Sequence, residues 1–398
     1  MNRFSFALVV ALAAGALAAV PDDATGCAAV VHLHNGQRVD TADESALIVW
    51  DEKTKTEHFV RRASFRSTGY DFGFLVPTPN RPHLDVASDD LFGDLATITA
   101  PKVERREVVT EVEREFSLGC AAEKKSFMYV GSAVKPPSDG VQVLEQKRIG
   151  NYDVTVLAFH HSDGDTPEGG ARLLGEWLAK HGYERSPAID KWLAKYVRDQ
   201  WCITAFKIAA PDKPNETKPP AGRHDLQAKP VRMSFRAEKP FYPYREPEPE
   251  PGVQPSGESR FLRVFFAAQG RYAGQLGDGS KAWPGQTVWA GPGEEASWAG
   301  VFQKAKLSDA PKDGKPVASP KAADGWWLTE FEDRSSPRPG IDEVYFEPSA
   351  DQSPVARAPI IVETARTVEV TPWRHVAVYF GVPAVLVGFL VWRRFQRG

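Results

Sequence analysis

The sequence predicts an α+β protein: a mainly antiparallel β ectodomain with a helical pair inserted after about residue 160, a β-rich C-terminal region, and one C-terminal transmembrane helix. Three observations predict it. Short apolar runs bounded by Gly, Pro and Asp recur along the chain, and two amphipathic helical patterns stand back to back between residues 168 and 197. Near the end, Val376 to Trp392 is a run of 17 residues without a charge. At 42% hydrophobic and 11% aromatic residues, the 398-residue composition is that of a globular protein, which excludes a mostly disordered, collagen-like or multi-span membrane chain.

Residues 1–19 read as a secretory signal peptide, with Arg3 before an apolar run from Phe6 to Leu17 and small residues at Ala16 and Ala18. A main α+β domain follows over 20–245. Its first strands are Ser45–Trp50 and His58–Phe65, joined as a hairpin through Thr54-Lys55-Thr56. Asp71–Val76 is a third strand, which Pro77 and Pro79 stop by removing ladder donors. Ser88-Asp89-Asp90 caps a short helix with Leu91, Leu95 and Ile98 on one face, and Arg105–Phe116 alternates like a long exposed strand. Val141–Leu157 makes two strands around Gly150-Asn151.

The helical pair comes next. Leu174, Trp177, Leu178 and His181 form the first stripe, stopped by Gly182; Ser186 caps the second helix and Pro187 starts it, with Ile189, Trp192, Leu193, Tyr196 and Val197 on its apolar face. Cys202–Ala209 returns to strand. Residues 246–258 read as a Pro/Glu-rich loop or linker, extended and charge-stiffened. The β-rich region over 259–348 has strands at 261–268, 287–290, 326–332 and 344–346, after an earlier one at 230–237.

An extended stalk is expected over 349–372, a transmembrane helix over 373–392, and a basic cytoplasmic tail over 393–398. Trp373 and Trp392 flank the apolar run, and Arg393, Arg394 and Arg397 follow it. Seventeen residues rise about 26 Å as a helix, enough for a bilayer core. The tail also resembles sorting tails that envelope transpeptidases remove, although no LPxTG motif precedes it, and hydropathy leaves anchor and removed tail both open. This layout places the N-terminal domain outside the cytoplasmic membrane, periplasmic or at the cell surface. Without Arg3, Arg374, Arg393, Arg394 and Arg397, 44 basic residues face 52 acidic ones, a net charge of −8. An ectodomain that acidic lacks the basic footprint of a nucleic-acid binder.

Several stretches in order resemble a bacterial family known as domain of unknown function 2330. They are ESALIVWD (Glu44–Asp51), EHFVRRASF (Glu57–Phe65), DFGFLVPTP (Asp71–Pro79), the strand–helix–helix–strand block from Tyr152 to Val197, and KPFYPYREP (Lys239–Pro247). The resemblance covers roughly residues 27–350. It implies a signal peptide and an exported domain, often membrane-anchored, and it implies no activity and no catalytic or binding residues.

Candidates for chemistry are few. His32 and His34, two apart on a strand, share a face and are weak candidates for metal ligands. Asp163 and Asp165 resemble a fragment of a calcium loop that lacks its Gly and Glu. Three cysteines allow at most one intramolecular bridge. Cys27 with Cys120 is a candidate pair, the choice staying open, and Cys202 reads as a buried inert thiol. No GxSxG, SxxK or HExxH motif occurs, and no cofactor is implied. Glu330 and Glu332 alternate with Phe331, which reads as the solvated face of a strand. Trp283, Trp289, Trp326 and Trp327 are weak candidates for binding a glycan or a partner surface, against core packing as the commoner use of Trp; adjacent Trp326 and Trp327 must face opposite ways. The sequence thus suggests a membrane-anchored, non-catalytic binding or scaffolding module of the bacterial envelope, engaging an envelope protein or glycan. The alternative is an exported hydrolase of a motif-poor class.

Overall fold

The computed structural model describes residues 29–32, 39–67, 72–111, 141–159, 166–183, 185–208, 224–248, 260–307, 320, 325–336, 338–368 and 382–396. The chain divides into two compact units, Met1–Thr99 with Tyr129–Ala356 and Ala100–Met128 with Arg357–Gly398. The α+β class holds: sheets dominate, with five helices among the described residues.

The larger unit is built on an eight-stranded sheet. Its strands are β2 (Val39–Asp51), β3 (Thr56–Ser67), β5 (His83–Val86), β10 (His224–Gln227), β11 (Val231–Arg236), β13 (Phe261–Ala268), β15 (Gln286–Pro292) and β16 (Trp327–Asp333). They run β15-β16-β13-β2-β3-β11-β5, with β10 beside β3. A five-stranded sheet is ordered β1 (Ala29–His32), β4 (Phe72–Thr78), β9 (Cys202–Ile208), β8 (Tyr152–Phe159), β7 (Val141–Ile149). A small third sheet joins β12 (Phe241–Tyr242), β17 (Val344–Pro348) and β14 (Tyr272–Leu276).

Period-two alternation explains the layering. Ile48, Trp50, Phe59, Met233, Val264 and Phe266 point from the large sheet toward Phe74, Tyr152, Val156 and Phe206 of the five-stranded sheet and Tyr242, Val344 and Phe346 of the small one. Their neighbours Leu47, Val49, Val60, Phe265 and Ala267 point the other way. They meet Leu91, Phe92 and Leu95 of α1 (Leu91–Ile98) and Trp298, Val301 and Phe302 of α4 (Glu295–Lys304). The outer face of the five-stranded sheet, with Leu75, Leu157, Ile203 and Ala205, is covered by α2 (Pro167–Lys180) and α3 (Pro187–Arg198). Helices thus close a two-sheet sandwich on both outer faces, so ALIVW at 46–50 is apolar at every position because both faces of β2 are covered.

Several expectations are met at the residue. β2 and β3 form the hairpin, with Trp50 opposite Glu57. Ser186 accepts from the N–H of Ile189 (3.3 Å), capping α3 as expected; Thr166, which the sequence reading did not single out, caps α2 through the N–H of Gly169 (3.0 Å).

Others are corrected. Pro77 does not stop β4; it stays in the ladder opposite Ile203. Among the described residues β1 pairs with β4 only as far as Leu75, so no described strand continues beside Pro77 on that edge. Asp90 precedes α1 without a side-chain capping bond, and Ile98 is exposed rather than on the buried stripe. The Pro/Glu run does not divide the fold. β13, beyond it, lies parallel to β2 and antiparallel to β16, so the β-rich C-terminal region supplies strands to the same sheet as β2 and β3. The start of the run is not a loose spacer either: Glu246 is buried in a two-pronged pair with Arg260 (2.7 and 3.2 Å). Residues 249–259 lie outside the described ones.

The segment expected as a stalk begins tied to the larger unit. Ser349 N donates to Arg271 O (2.9 Å), and Val355 and Ala290 exchange backbone bonds at 2.8 Å. In the smaller unit, β18 (Ile360–Val368) pairs in parallel with β6 (Val103–Glu111), and α5 (Val382–Phe395) carries Arg393 and Arg394 in its last turn. Among the described residues no helix is long and apolar enough to cross a membrane. The residues expected as signal peptide lie outside the described ones, as do Cys27, His34, Cys120, Asp163 and Asp165.

Candidate functional site

A cleft of about 570 Å³ opens on the outer side of α3, lined by Glu168, Asp190, Lys191, Ala194, Lys195, Arg198, Arg245, Ile341 and Asp342. The helical period explains the α3 contribution: with Ile189, Trp192, Leu193, Tyr196 and Val197 turned to the core, residues 190, 191, 195 and 198 face outward, and Ala194, itself buried, sits at the edge between the two faces. Glu168 comes from the first turn of α2, and Ile341 and Asp342 come from the segment entering β17.

Arg245 is held by its backbone. Its N–H donates to Glu343 Oε2 (3.2 Å) and its carbonyl accepts from Trp192 Nε1 (3.1 Å). Beneath it Tyr196 OH donates to Glu343 Oε1 at 2.5 Å, both side chains being buried. Burial pushes the Glu343 carboxyl above its ordinary range, opposed by the Tyr196 bond and by Lys195. Burial, and then the neighbouring Glu343, raise the Tyr196 phenol well above its usual value.

Above this floor the charges are cross-paired. Lys191 meets Glu248 (2.5 Å), Lys195 meets Asp199 (3.4 Å) and Asp342 (3.7 Å), and Arg198 meets Glu168 (3.8 Å). Among the described residues the Arg245 guanidinium has no hydrogen-bond partner. The lining contains no hydroxyl, thiol or imidazole. It offers cations, carboxylates and one exposed apolar side chain, Ile341, which is 47% exposed.

The candidates from sequence fall elsewhere. Trp283 is core, packed on Tyr244, Phe331 and Phe346, and Trp326 is core against Trp298 and Phe302. Neither offers a face to a sugar. Trp289 and Trp327 are half-buried, and Trp327 does face away from Trp326. His32 ends β1 opposite Phe72, with its presumed fellow ligand His34 outside the described residues; among the described residues no group of three His, Cys, Asp or Glu could hold a metal ion. Cys202 is buried, and burial pushes its thiol up to about 11.

Glu330 corrects the solvated-face reading. It is fully buried and paired with Arg263 (3.0 Å), because α4 and Trp289 cover that end of the sheet.

Sequence reasoning also missed His58 and Ser234, which cross-strand pairing brings together on β3 and β11 with Nδ1 and Oγ 2.8 Å apart. The pair has the outline of a base and a nucleophile, but His58 and Ser234 are 2% and 3% exposed and sealed under the α1/α4 layer. No local motif marks either residue, since the contact joins positions 176 residues apart.

Fold and cleft together define a helix-covered β sandwich with a charged, open groove. Residues 21–248 match the family described as "Uncharacterized protein conserved in bacteria (DUF2330)", and the chain belongs to that family. The match includes the α2, α3 and Arg245 parts of the cleft and stops before the wall made by Ile341 and Asp342. No curated protein and no solved structure matches the chain.

Proposed function

We propose that this chain is a membrane-anchored, extracytoplasmic binding module of the bacterial envelope, exported by residues 1–19 and held by the apolar segment 373–392. The cleft beside α3 carries the binding reading: it presents a backbone-clamped Arg245 among side chains of both charges, and its described lining has no hydroxyl, thiol or imidazole. The anchor is supported by α5, whose Val385, Leu386, Val387, Phe389, Leu390 and Val391 are all at least half exposed, with Arg393 and Arg394 following. Exposed apolar residues around a whole helix fit a lipid surround better than water. The rival hydrolase reading draws on the His58–Ser234 contact, and the burial of both residues weighs against it.

Cell fractionation tests the proposal. The protein should sediment with membranes, resist carbonate extraction, and be cleaved by protease added to spheroplasts. Recovery of full-length material, leader included, from the cytosol would overturn it.

A further inference from the structure

We propose that the α3 cleft binds a short peptide with free ends, its carboxylate on Arg245 and its ammonium against Asp342 and the neighbouring acids. The inference rests on the reading of this cleft as a binding site and names the ligand class.

Arg245 supplies the anchoring observation. Its backbone is fixed from both sides by Glu343 and Trp192, and Glu246 after it is fixed by Gly340 O (2.9 Å) and Arg260. The chain carrying the guanidinium is therefore ordered before any ligand arrives, which lowers the entropic cost of binding. A guanidinium with no hydrogen-bond partner among the described residues, half-buried at a cleft wall, suits a carboxylate that takes two parallel N–H bonds.

The acids decide what else the ligand carries. Glu168, Asp190 and Asp342 line the same cleft as Lys191, Lys195, Arg198 and Arg245. A dianion such as phosphate would meet Glu168 and Asp342 as well as the cations, Asp190 being held by Arg185 (2.6 Å), whereas a ligand with one charge of each sign has a partner for both. Arg245 and Asp342 thus offer opposite charges within one cleft.

The existing pairs of Lys195 and Arg198, at 3.4–3.8 Å, are longer than the roughly 2.7–2.9 Å of a strong charge-assisted bond, so ligand groups can replace them. Ile341, 47% exposed, gives the body of the ligand apolar contact. The cleft volume is in the range of small-ligand sites, which limits the ligand to a few residues.

The test is equilibrium dialysis of the full-length chain in detergent micelles against a degenerate tripeptide pool, read by mass spectrometry. Parallel pools are N-acetylated or C-amidated, and inorganic phosphate is a competitor. Retention of the free-ended pool is expected, with at least a tenfold drop for the C-amidated pool and for R245Q, and a smaller drop for the N-acetylated pool and for D342N. R245Q keeps the backbone bonds of residue 245, so an unchanged thermal midpoint certifies its fold. Failure of the wild type to retain the free-ended pool, equal retention by R245Q, or displacement of the pool by equimolar phosphate would each overturn the assignment. Fractionation of the same preparation is read separately, so a membrane protein that ignores peptides defeats this inference and leaves the anchored-module proposal standing.

Discussion

Glu57 and His58 are neighbours on β3 and face opposite sides of the large sheet, each sealed in a different layer. Burial raises the Glu57 carboxyl well above 4.5, while burial and then Arg232 push the His58 imidazole from 6.5 down to about 3. Between pH 3 and 6.5 the unfolded chain holds a proton on His58 that the folded chain lacks, so this residue makes stability rise with pH. From pH 4.5 up to its raised folded value the folded chain holds a proton on Glu57 that the unfolded chain loses, so over that span the residue makes stability fall with pH. The two slopes therefore oppose each other from pH 4.5 upward, until the first of them ends. E57Q should remove one of them, leaving stability to climb by about 1.4 kcal/mol per pH unit up to pH 6.5 and flatten above it. Urea melts across that range check this, and a profile parallel to wild type would refute it. A second residue-scale prediction concerns Arg61, which donates to Glu44 at 2.5 Å between the two sheets with both side chains buried. R61A leaves Glu44 as a charge without its cation and should cost about 3–5 kcal/mol in the same urea melts.

Single elements carry their own demands. Gly73 in β4 has no room for a side chain: a Cβ there would lie 2.5 Å from Phe206 O and 2.6 Å from Tyr183 Cε1. G73A should therefore destabilise by on the order of 2 kcal/mol or more, seen as a lowered thermal midpoint. S186A removes the α3 cap and should cost about 1 kcal/mol, read in the same way. The helical pair was legible because its caps, Pro187 and its apolar stripes are all local. The α4 helix was not legible. Glu294 makes no side-chain capping bond, the helix is ten residues long, and Gly300 sits inside it, so the helix gave no local signal within a stretch read as β-rich. The β5 and β14 strands were not legible either: HLDV alternates but spans only four residues, and YAGQL has no clear alternation.

At the scale of the molecule, all three apolar cores lie within the larger unit. Because those cores lie outside 357–398, deleting that segment should leave thermal unfolding unchanged, and on the anchored-module proposal it should also release the protein from the membrane, which calorimetry and fractionation would report together. A large loss of stability on deletion would show that the smaller unit supports those cores.

Length, composition, strand and helix periods, and the apolar ends are properties of contiguous residues, and the sequence alone determined them together with the α+β class. Three things were decided only in three dimensions: that Phe261–Ala268 lies beside Val39–Asp51, that Glu330 is buried while Trp283 and Trp326 fill the core, and that Arg245 meets α3 and Asp342 in one cleft. Each joins residues far apart in the chain. Local propensity is a sum over neighbours, whereas strand pairing and burial depend on which distant faces exclude water together.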